Sequence, residues 1–324
     1  MPDKQAVADT GGRPSARVIE VDAESGGQRL DNFLARELKG VPRGHLYRLV
    51  RTGQVRVNGG RRKPDHRLEA GDRVRVPPVR TSGRPQGKGP LRRTDRLLQH
   101  GILFEDEVLL VVDKPSGIPV HGGSGLDGGL IEALRTLRGE PGLELAHRLD
   151  RDTSGCLVVA RRRSALRALH AAFRERAVEK RYLALLTGRV EKPFRARAAL
   201  QRYARRGGER HVAVSEVGRR SETGFHPLAV GARATLVRAE PDTGRTHQIR
   251  VHAAHAGHPV AGDSRYGDKS VNRELRSAGL HRLALHAWEI AFVHPRSGRR
   301  VSFRAPLPAD LAPAIERLTG WRGD

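Results

Sequence analysis

The apolar segments of this 324-residue chain are short, and their length limits the folds that the chain can adopt. After residue 100, apolar runs of four or five residues recur at 108–112, 157–160, 182–186 and 234–237. Runs of this length are typical of buried strands and are far too short to cross a membrane. Helical patterns cover 126–137 and 165–177, the second with Ser164 as its expected N-cap, and they do not alternate strictly with the strands. The sequence therefore predicts an α+β domain with a mixed, largely antiparallel sheet.

A smaller α+β unit is predicted before this domain. Apolar residues at 30, 33, 34 and 38 have helical spacing, and a second helix is expected between Pro42 and Gly53. Alternating residues lead into a turn at Asn58 and Gly59 and recur at 73–76, so a small sheet should follow the two helices. We expect a disordered tail at 1–15, this small domain at 16–80, a flexible linker at 81–96 and the larger domain at 97–324.

The chain has a large excess of positive charge, with 60 Lys and Arg residues against 36 Asp and Glu residues, a net charge of +24. Between residues 40 and 94 there are 15 basic and 3 acidic residues, so this segment alone carries +12. Nucleic acid and anionic membranes both attract such a protein, but no amphipathic helix with aromatic anchors indicates a membrane. The alternative to phosphate binding is a solvated basic face, and arginines that alternate along predicted strands favour phosphate binding. The candidate RNA-binding side chains are Arg43, Arg48, Arg51, Arg56, Arg61, Arg62 and Lys63.

The cysteine content and the missing motifs exclude several classes of site. The single cysteine, Cys156, excludes an internal disulfide and any site built from several cysteines, and its apolar run predicts a buried core residue. No apolar segment follows Met1, so we predict no secretory signal and a cytoplasmic protein. Because phosphate-loop and zinc-type motifs are missing and a dinucleotide motif is only weakly matched, we predict neither a metal nor a cofactor.

Two polar strings could carry chemistry. Residues 146–155 place two carboxylates, two guanidiniums, an imidazole and a turn just before an apolar strand. They suit either a capped turn, in which side chains such as Asp152 bind backbone groups, or a reactive site around Asp150. Residues 243–252 are cationic and open a predicted helix, which suits either an anion site or a helix cap with surface arginines. Residue types and spacing leave both pairs of alternatives open.

The order of four sequence blocks resembles that of the RluA-type pseudouridine synthases. The blocks are 113–117 (Asp-Lys-Pro-Ser-Gly), 147–155 with its His-Arg-Leu-Asp and Thr-Ser-Gly, 180–185 (Lys-Arg-Tyr-Leu-Ala-Leu) and 244–252 (Gly-Arg-Thr-His-Gln-Ile-Arg-Val-His). Residues 29–80 resemble the RNA-binding domain named after small-subunit ribosomal protein S-four. Together with the glycine-rich residues 121–125, this pairing most resembles the family members that act on large-subunit ribosomal RNA. The resemblance covers about residues 17–306.

The resemblance implies roles for the matched residues. Asp150 is implied as the catalytic carboxylate, Arg250 as the arginine that pairs with it, and Tyr182 as the aromatic residue that stacks on the flipped base. A neighbouring guanidinium favours the charged form of a buried carboxylate. An isomerase keeps the free base in a dry pocket, so one carboxylate suffices and no metal or redox cofactor is required.

Substrate contacts follow from the same resemblance. Arg148 is implied to fill the gap that an extruded uridine leaves in its stack. His147, Arg245 and His247 are further candidates for substrate contacts. Asp152 lies outside the matched catalytic position and is expected to be a turn or capping residue.

We therefore predict an enzyme that isomerises uridines of 23S ribosomal RNA. Two alternatives stay open: a non-catalytic RNA-binding or ribosome-assembly factor, and the same chemistry on transfer RNA. The expected partner is RNA, either naked or inside an assembly intermediate. We expect the chain to act as a monomer without membrane attachment.

Overall fold

The computed structural model describes residues 16–23, 25–38, 41, 43–79, 101–122, 128–204 and 210–323. The chain divides into two compact units, 1–88 and 89–324, and each has its own hydrophobic core. The predicted tail at 1–15 and the predicted linker at 81–96 lie outside the described residues. Within the described ranges, no helix is long and apolar enough to span a bilayer.

The first unit is a three-stranded antiparallel sheet with two helices. Its elements are β1 (Arg17–Glu20), α1 (Leu30–Glu37), α2 (Arg43–Arg51), β2 (Arg56–Val57) and β3 (Arg73–Val76), and the strand order is β1-β3-β2. The sequence pattern placed the whole sheet after the helices, and this was wrong because β1 comes first. The side chains of β1 are mostly exposed, so the strand has no apolar pattern that sequence analysis could detect.

The small sheet has one charged and one apolar face. Along β3, Arg73 and Arg75 are exposed whereas the two valines are buried, and Arg56 and Val57 of β2 divide in the same way. The buried face packs on apolar residues of both helices, including Phe33, Leu34, Leu46 and Leu49. The alternation predicted from the sequence therefore places the arginines of β2 and β3 on the exposed side of the sheet.

The second unit is built on a ten-stranded sheet. Its strands are β4 (Ile102–Glu105), β5 (Leu109–Lys114), β6 (Glu144–Leu145), β7 (Ser154–Ala160), β8 (Glu179–Thr187), β9 (Phe194–Arg197), β12 (Glu222–Val230), β13 (Ala234–Pro241), β14 (Leu285–Val293) and β15 (Arg300–Arg304). They lie in the order β4-β5-β7-β14-β8-β13-β12-β9, with β6 beside β7 and β15 beside β14. Among these strands only β7 and β14 pair in parallel, which confirms the predicted mixed, largely antiparallel sheet.

Five helices and a separate two-stranded sheet complete the described part of this unit. They are α3 (Leu130–Arg138), α4 (Arg163–Arg174), α5 (Gln248–His255), α6 (Lys269–Ser277) and α7 (Ala312–Thr319), and the paired strands β10 (Leu200–Ala204) and β11 (Arg210–Val214). Leu157 and Val159 of β7 pack in one cluster with α3, whereas Cys156 and Val158 pack in another with α4. Because successive side chains point to opposite faces, a strand covered on both faces is apolar throughout. Cys156 is therefore a core residue, as predicted, and burial raises the pKa of its thiol to about 12.

Three helices begin at positions other than those predicted. The N–H of Leu166 donates to the carbonyl of Arg162 at 3.0 Å, so α4 begins at Arg163 and Ser164 lies inside its first turn rather than at the N-cap. Helix α3 begins at Leu130, and part of the predicted start at 126–129 lies outside the described residues. Helix α5 begins only at Gln248, because the residue before it adopts a left-handed backbone conformation.

Candidate active site

Asp150 lies in a loop between two paired strands. β6 pairs with the far end of β7, with Leu145 opposite Val159, and residues 146–153 connect β6 to the first residue of β7. The loop turns at Asp150, whose carbonyl accepts the N–H of Thr153 at 3.2 Å, and Leu149 is buried. At Gly155 (φ +108°) a Cβ would collide with the carbonyl of Ala287. A glycine is therefore needed where β7 runs closest to β14.

Lys114, the last residue of β5, fixes this loop from inside the protein. Its side chain is fully buried, and Nζ donates to the carbonyl oxygens of Pro115 (2.8 Å), Ile118 (2.8 Å) and Arg151 (2.9 Å). Three acceptors match the three protons of an ammonium group, although burial lowers the pKa of Lys114 to about 7. Ser116 adds a hydrogen bond from its hydroxyl to the carbonyl of Asp152 at 2.7 Å. The 113–117 block therefore fixes the backbone that follows Asp150.

Arg250 connects two carboxylates. Its Nη1 lies 3.3 Å from Oδ2 of Asp150, while Nε and Nη2 donate to Oδ2 and Oδ1 of Asp263 at 2.6 and 2.8 Å. Burial opposes the charge on Arg250, but the hydrogen bonds and the charge of Asp263 outweigh it and raise the pKa of the guanidinium. Burial likewise opposes the charge on Asp263, and Arg250 outweighs it and lowers the pKa of that carboxyl. Both partners of the inner ion pair are therefore charged, and they present a fixed cation to Asp150.

The structure brings six of the predicted site residues to one pocket, whose lining includes Asp150, Tyr182, Arg250, Arg148, Arg245 and His247. Tyr182 comes from β8, and burial together with the charge of Asp150 raises the pKa of its hydroxyl above the usual range. The phenol is therefore protonated at neutral pH. Arg148 and Arg245 are exposed, so their guanidiniums are accessible to an anionic ligand.

His247 faces Asp150 from the turn before α5. Its Nε2 lies 3.8 Å from Oδ2 of Asp150, and its backbone has a φ of +55°, which non-glycine residues rarely adopt. The side chain of Gln248 braces this turn by accepting hydrogen bonds from Oγ1 of Thr243 (2.5 Å) and the N–H of Arg245 (3.1 Å). Burial lowers the pKa of His247 to about 4, so the imidazole is neutral at pH 7.

His147 lies outside this pocket lining. Its Nε2 accepts the N–H of Val158 at 3.0 Å, and its ring packs against Phe173 with centroids 5.0 Å apart. Burial lowers the pKa of His147 to about 3, which keeps the ring neutral and able to accept that hydrogen bond. This placement ties the loop to β7 and α4, and the predicted substrate contact of His147 stays a prediction.

The candidate RNA-binding residues lie in the first unit. Six of them are exposed: Arg48 and Arg51 on α2, Arg56 on β2, and Arg61, Arg62 and Lys63 in the segment that follows. The side chain of Arg43 lies outside the described part of the chain, as do residues 123–125 of the glycine-rich block. These exposed guanidinium and ammonium groups form a surface that phosphates can reach, while their contacts with RNA stay a prediction.

Sequence analysis missed two residues that position the site, Asp263 and Lys114. Asp263 lies in a Gly-Asp-Ser-Arg-Tyr-Gly string at 262–267, which has the composition of an ordinary turn. Lys114 was noticed as part of a matched block, but a lysine at the end of an apolar strand does not by itself indicate a buried ammonium group. In the part of the chain that the structure describes, no group of three or more His, Cys, Asp or Glu side chains could hold a metal ion.

The fold and the pocket together define a class of protein. In the pocket, the carboxylate of Asp150 lies beside the buried guanidinium of Arg250 and the protonated phenol of Tyr182. The pocket is built on a mixed sheet, and the chain also contains a small basic α+β unit. Such a pocket, with exposed guanidiniums and with no carboxylate besides Asp150 in its described lining, suits an enzyme that acts on a polyanion without hydrolysing it.

Comparisons with known proteins identify the family. The sequence model of the RNA pseudouridylate synthase family matches residues 108–255, and that of the S4 domain matches residues 28–74. The chain is 49% identical over 314 residues to ribosomal large subunit pseudouridine synthase C of Escherichia coli, covering 95% of this chain and 98% of that protein. It is 51% identical over 310 residues to the protein of the same name from Haemophilus ducreyi, covering 94% and 96%. The chain belongs to the pseudouridine synthase family, which confirms the resemblance drawn from its sequence blocks, and it is an isomerase.

A solved structure supports the fold. The structure of the human protein named RNA Pseudouridylate Synthase Domain Containing 4 aligns with 70% of this chain. The alignment covers 96% of the human chain, with a TM-score of 0.57 and 24% sequence identity. The second unit therefore has the fold of a pseudouridine synthase catalytic domain, preceded by a small α+β domain, as the sequence predicted.

Proposed function

We propose that this chain converts uridines of 23S large-subunit ribosomal RNA to pseudouridine in the cytoplasm. The observation that carries the proposal is Asp150, whose Oδ2 lies 3.3 Å from Nη1 of Arg250 in a pocket that Tyr182 also lines. The substrate is inferred from relatives named ribosomal large subunit pseudouridine synthase C, which match this chain over nearly its whole length. We further propose that the acting unit is a monomer.

The proposed reaction breaks the C1′–N1 bond of uridine and forms a C1′–C5 bond, and N1 gains a proton while C5 loses one. Asp150 acts at the C1′–C2′ edge of the ribose, either as the nucleophile at C1′ or as the base at C2′. Arg250 presents a fixed cation to the carboxylate and orients it in the pocket. The ring of Tyr182 stacks on the flipped base. The pocket walls keep the detached uracil bound until the new bond forms.

The remaining proposed roles concern the RNA rather than the reacting bond. Flipping a uridine costs a few kcal/mol, and the exposed guanidinium of Arg148 can occupy the vacated space in the stack. The basic face of the first unit supplies contacts to phosphates, which position an RNA without reading its sequence.

The proposal is tested by tritium release from RNA whose uridines are labelled at C5, because isomerisation frees that hydrogen and binding does not. Wild-type protein should release tritium from unmodified 23S ribosomal RNA or from a large-subunit assembly intermediate. Asp150→Asn should lower the rate by about 10²- to 10⁴-fold while RNA affinity stays within about twofold, because the acid takes part in the chemistry.

Asp152→Asn is the matched control. Asp152 is two residues away, its side chain is 41% exposed, and it pairs with Arg151, so this variant should retain the wild-type rate. Equal activity of Asp150→Asn and the wild type would contradict the assigned role of Asp150. Release from transfer RNA alone, or from none of these substrates, would contradict the proposed 23S substrate.

A further inference from the structure

His247 lies between two oxygen atoms, one on each side of its ring. Nε2 is 3.8 Å from Oδ2 of Asp150, and Nδ1 is 2.8 Å from the hydroxyl of Tyr266. Tyr266 belongs to the loop that follows α5, and none of the sequence motifs assigns it a role. The imidazole therefore connects this tyrosine to the carboxylate of the active site.

The hydrogen bonds of Tyr266 determine which nitrogen of His247 carries the proton. The hydroxyl oxygen of Tyr266 accepts the backbone N–H of Val212 in β11 at 3.3 Å. A phenol has one proton to donate, and among the described groups Nδ1 of His247, at 2.8 Å, is the acceptor within its reach, so we assign the hydroxyl of Tyr266 as the donor. With Nδ1 as an acceptor, the neutral imidazole has its proton on Nε2, the nitrogen that faces Asp150.

The surroundings hold the imidazole neutral and in place. Burial lowers the pKa of His247 to about 4, and the charged groups that act on it are Asp150, Arg250, Arg265 and Asp263. The rings of His247 and Tyr266 pack edge to face, with centroids 5.6 Å apart and an interplanar angle of 72°.

Tyr266 is itself fixed by the groups that hold Arg250. Its backbone N–H donates to Oδ1 of Asp263 at 3.1 Å, and the guanidinium of Arg250 lies over its ring, 5.2 Å from the centroid. Asp263 therefore sets the position of both Arg250 and Tyr266. The left-handed backbone of His247 costs free energy, and such strain persists where the surrounding structure enforces it.

We propose that Tyr266 is a positioning residue that keeps His247 in the Nε2–H tautomer, so that an N–H donor points at the carboxylate of Asp150. This inference rests on the proposed function, in which Asp150 is the reacting acid. A catalytic hydrogen bond that is long in the free enzyme shortens when substrate closes the site, and 3.8 Å is within reach of such a change. His247 and Arg250 then both donate to Oδ2 of Asp150, and the two donors together restrict the carboxylate to one orientation.

The tautomer is measured directly by nitrogen NMR of histidine-labelled protein, with the His247 signals assigned from their loss in His247→Gln. The wild-type protein should show an unprotonated Nδ1 and a protonated Nε2. Tyr266→Phe removes only the hydroxyl and should give a mixture of the two tautomers. A wild-type Nδ1–H tautomer, or an unchanged tautomer in Tyr266→Phe, would overturn the proposal.

The kinetic test separates positioning from binding. Tyr266→Phe should lower kcat by about five- to tenfold, the equivalent of one lost hydrogen bond, with an unchanged KM for RNA. Tyr203→Phe, which removes a hydroxyl from a tyrosine that is 44% exposed on β10, should leave kcat unchanged. An unchanged kcat in Tyr266→Phe, or an equal loss in both variants, would contradict the proposal.

A second pair of variants covers the case in which Tyr266→Phe fails to fold. The amide nitrogen of glutamine occupies the place of Nε2 and that of asparagine the place of Nδ1, so His247→Gln should retain more activity than His247→Asn. The opposite order would overturn the proposal. Because the NMR measurement needs no turnover, an inactive wild-type protein would contradict the proposed function and leave the tautomer assignment to be decided separately.

Discussion

Asp263 holds Arg250 by two hydrogen bonds, of 2.6 Å to Nε and 2.8 Å to Nη2, and the side chain of Asp263 is completely shielded from solvent. The same carboxylate accepts the backbone N–H groups of Arg265 (2.9 Å) and Tyr266 (3.1 Å). With two of its nitrogens bound in this way, Arg250 has Nη1 left for Asp150. The direction of the cation that faces the active-site acid is therefore set by a second acid that the pocket does not expose.

Replacing Asp263 by Asn should destabilise the protein and misalign the site. Removing the charge of one partner of a buried ion pair leaves the other charge uncompensated and lowers the unfolding free energy by about 3 to 5 kcal/mol. Because Arg250 would lose its orientation, kcat should also fall, by up to about a hundredfold. Urea denaturation and tritium-release kinetics on the same preparation measure the two effects.

Glu274→Gln is the matched control for this prediction. Glu274 pairs with Arg233 on the surface, where the side chains are 59% and 70% exposed, and exposed pairs contribute about 1 kcal/mol or less. Equal losses of stability in the two variants would show that the buried Asp263–Arg250 pair contributes no more to the unfolding free energy than an exposed pair.

Lys114→Met should loosen the loop that carries Asp150. Methionine fills the space of the buried stem but leaves the carbonyls of Pro115, Ile118 and Arg151 without the donor that satisfies them. We expect a loss of about 3 kcal/mol in unfolding free energy and a lower kcat, with RNA affinity unchanged. Lys192→Met, at an exposed position, should change neither quantity. A Lys114→Met protein with wild-type kcat would contradict the role of Lys114 in positioning the loop.

The parts of the fold that could be predicted are those where burial leaves a pattern in the sequence. The 157–160 run could be predicted as a strand because both of its faces are covered, and residues 73–76 because one face is. β1 could not, because its side chains are mostly exposed and the strand is held by backbone pairing with β3. Every residue type except proline has the same backbone N–H and C=O groups, so such a strand has no signature in its side chains.

The site shows the same division. Asp150 and Arg250 are 100 residues apart, and only the resemblance to a family, not spacing, placed them together. The pairing of Asp263 with Arg250 could not be predicted, because an aspartate in a glycine-flanked loop has the same local pattern whether it is buried or exposed. The sequence names His147 as a candidate substrate contact, but whether its side chain faces a pocket or packs against Phe173 depends on tertiary structure.

His286 should make the protein less stable in mild acid. Its side chain is fully buried, with Nδ1 2.9 Å from the hydroxyl of Ser154 and Nε2 3.3 Å from the carbonyl of Ala305, and burial lowers its pKa to about 4. The unfolded chain takes up a proton below about pH 6.5 that the folded protein does not bind. Stability is therefore complete above that pH and falls by about 1.4 kcal/mol per unit as the pH decreases toward 4.

Denaturation curves recorded between pH 7 and pH 4.5 give the unfolding free energy at each pH. The slope of this free energy against pH is compared between the wild type and His286→Gln. His286→Gln should remove the contribution of His286, whatever its effect on stability at pH 7. An identical slope in wild type and His286→Gln would show that the buried imidazole does not stay neutral.

The basic face of the first unit should contribute to RNA binding through charge alone. Arg61 and Arg62 are both exposed in the segment that follows β2, and each phosphate contact of a cation releases a counterion. Replacing both by Ala should weaken RNA binding at low salt and reduce the slope of log K against log salt by about 0.7 to 0.9 per lost contact. KM for RNA should rise while kcat at saturation stays at the wild-type value, because neither residue lines the pocket of Asp150.

Arg233→Ala is the control. It removes an exposed arginine from the second unit and should leave the slope of log K against log salt unchanged, since Arg233 already pairs with Glu274. If the wild-type protein and the Arg61/Arg62 double variant show the same salt dependence, these two arginines belong to a solvated surface and not to the RNA-binding face.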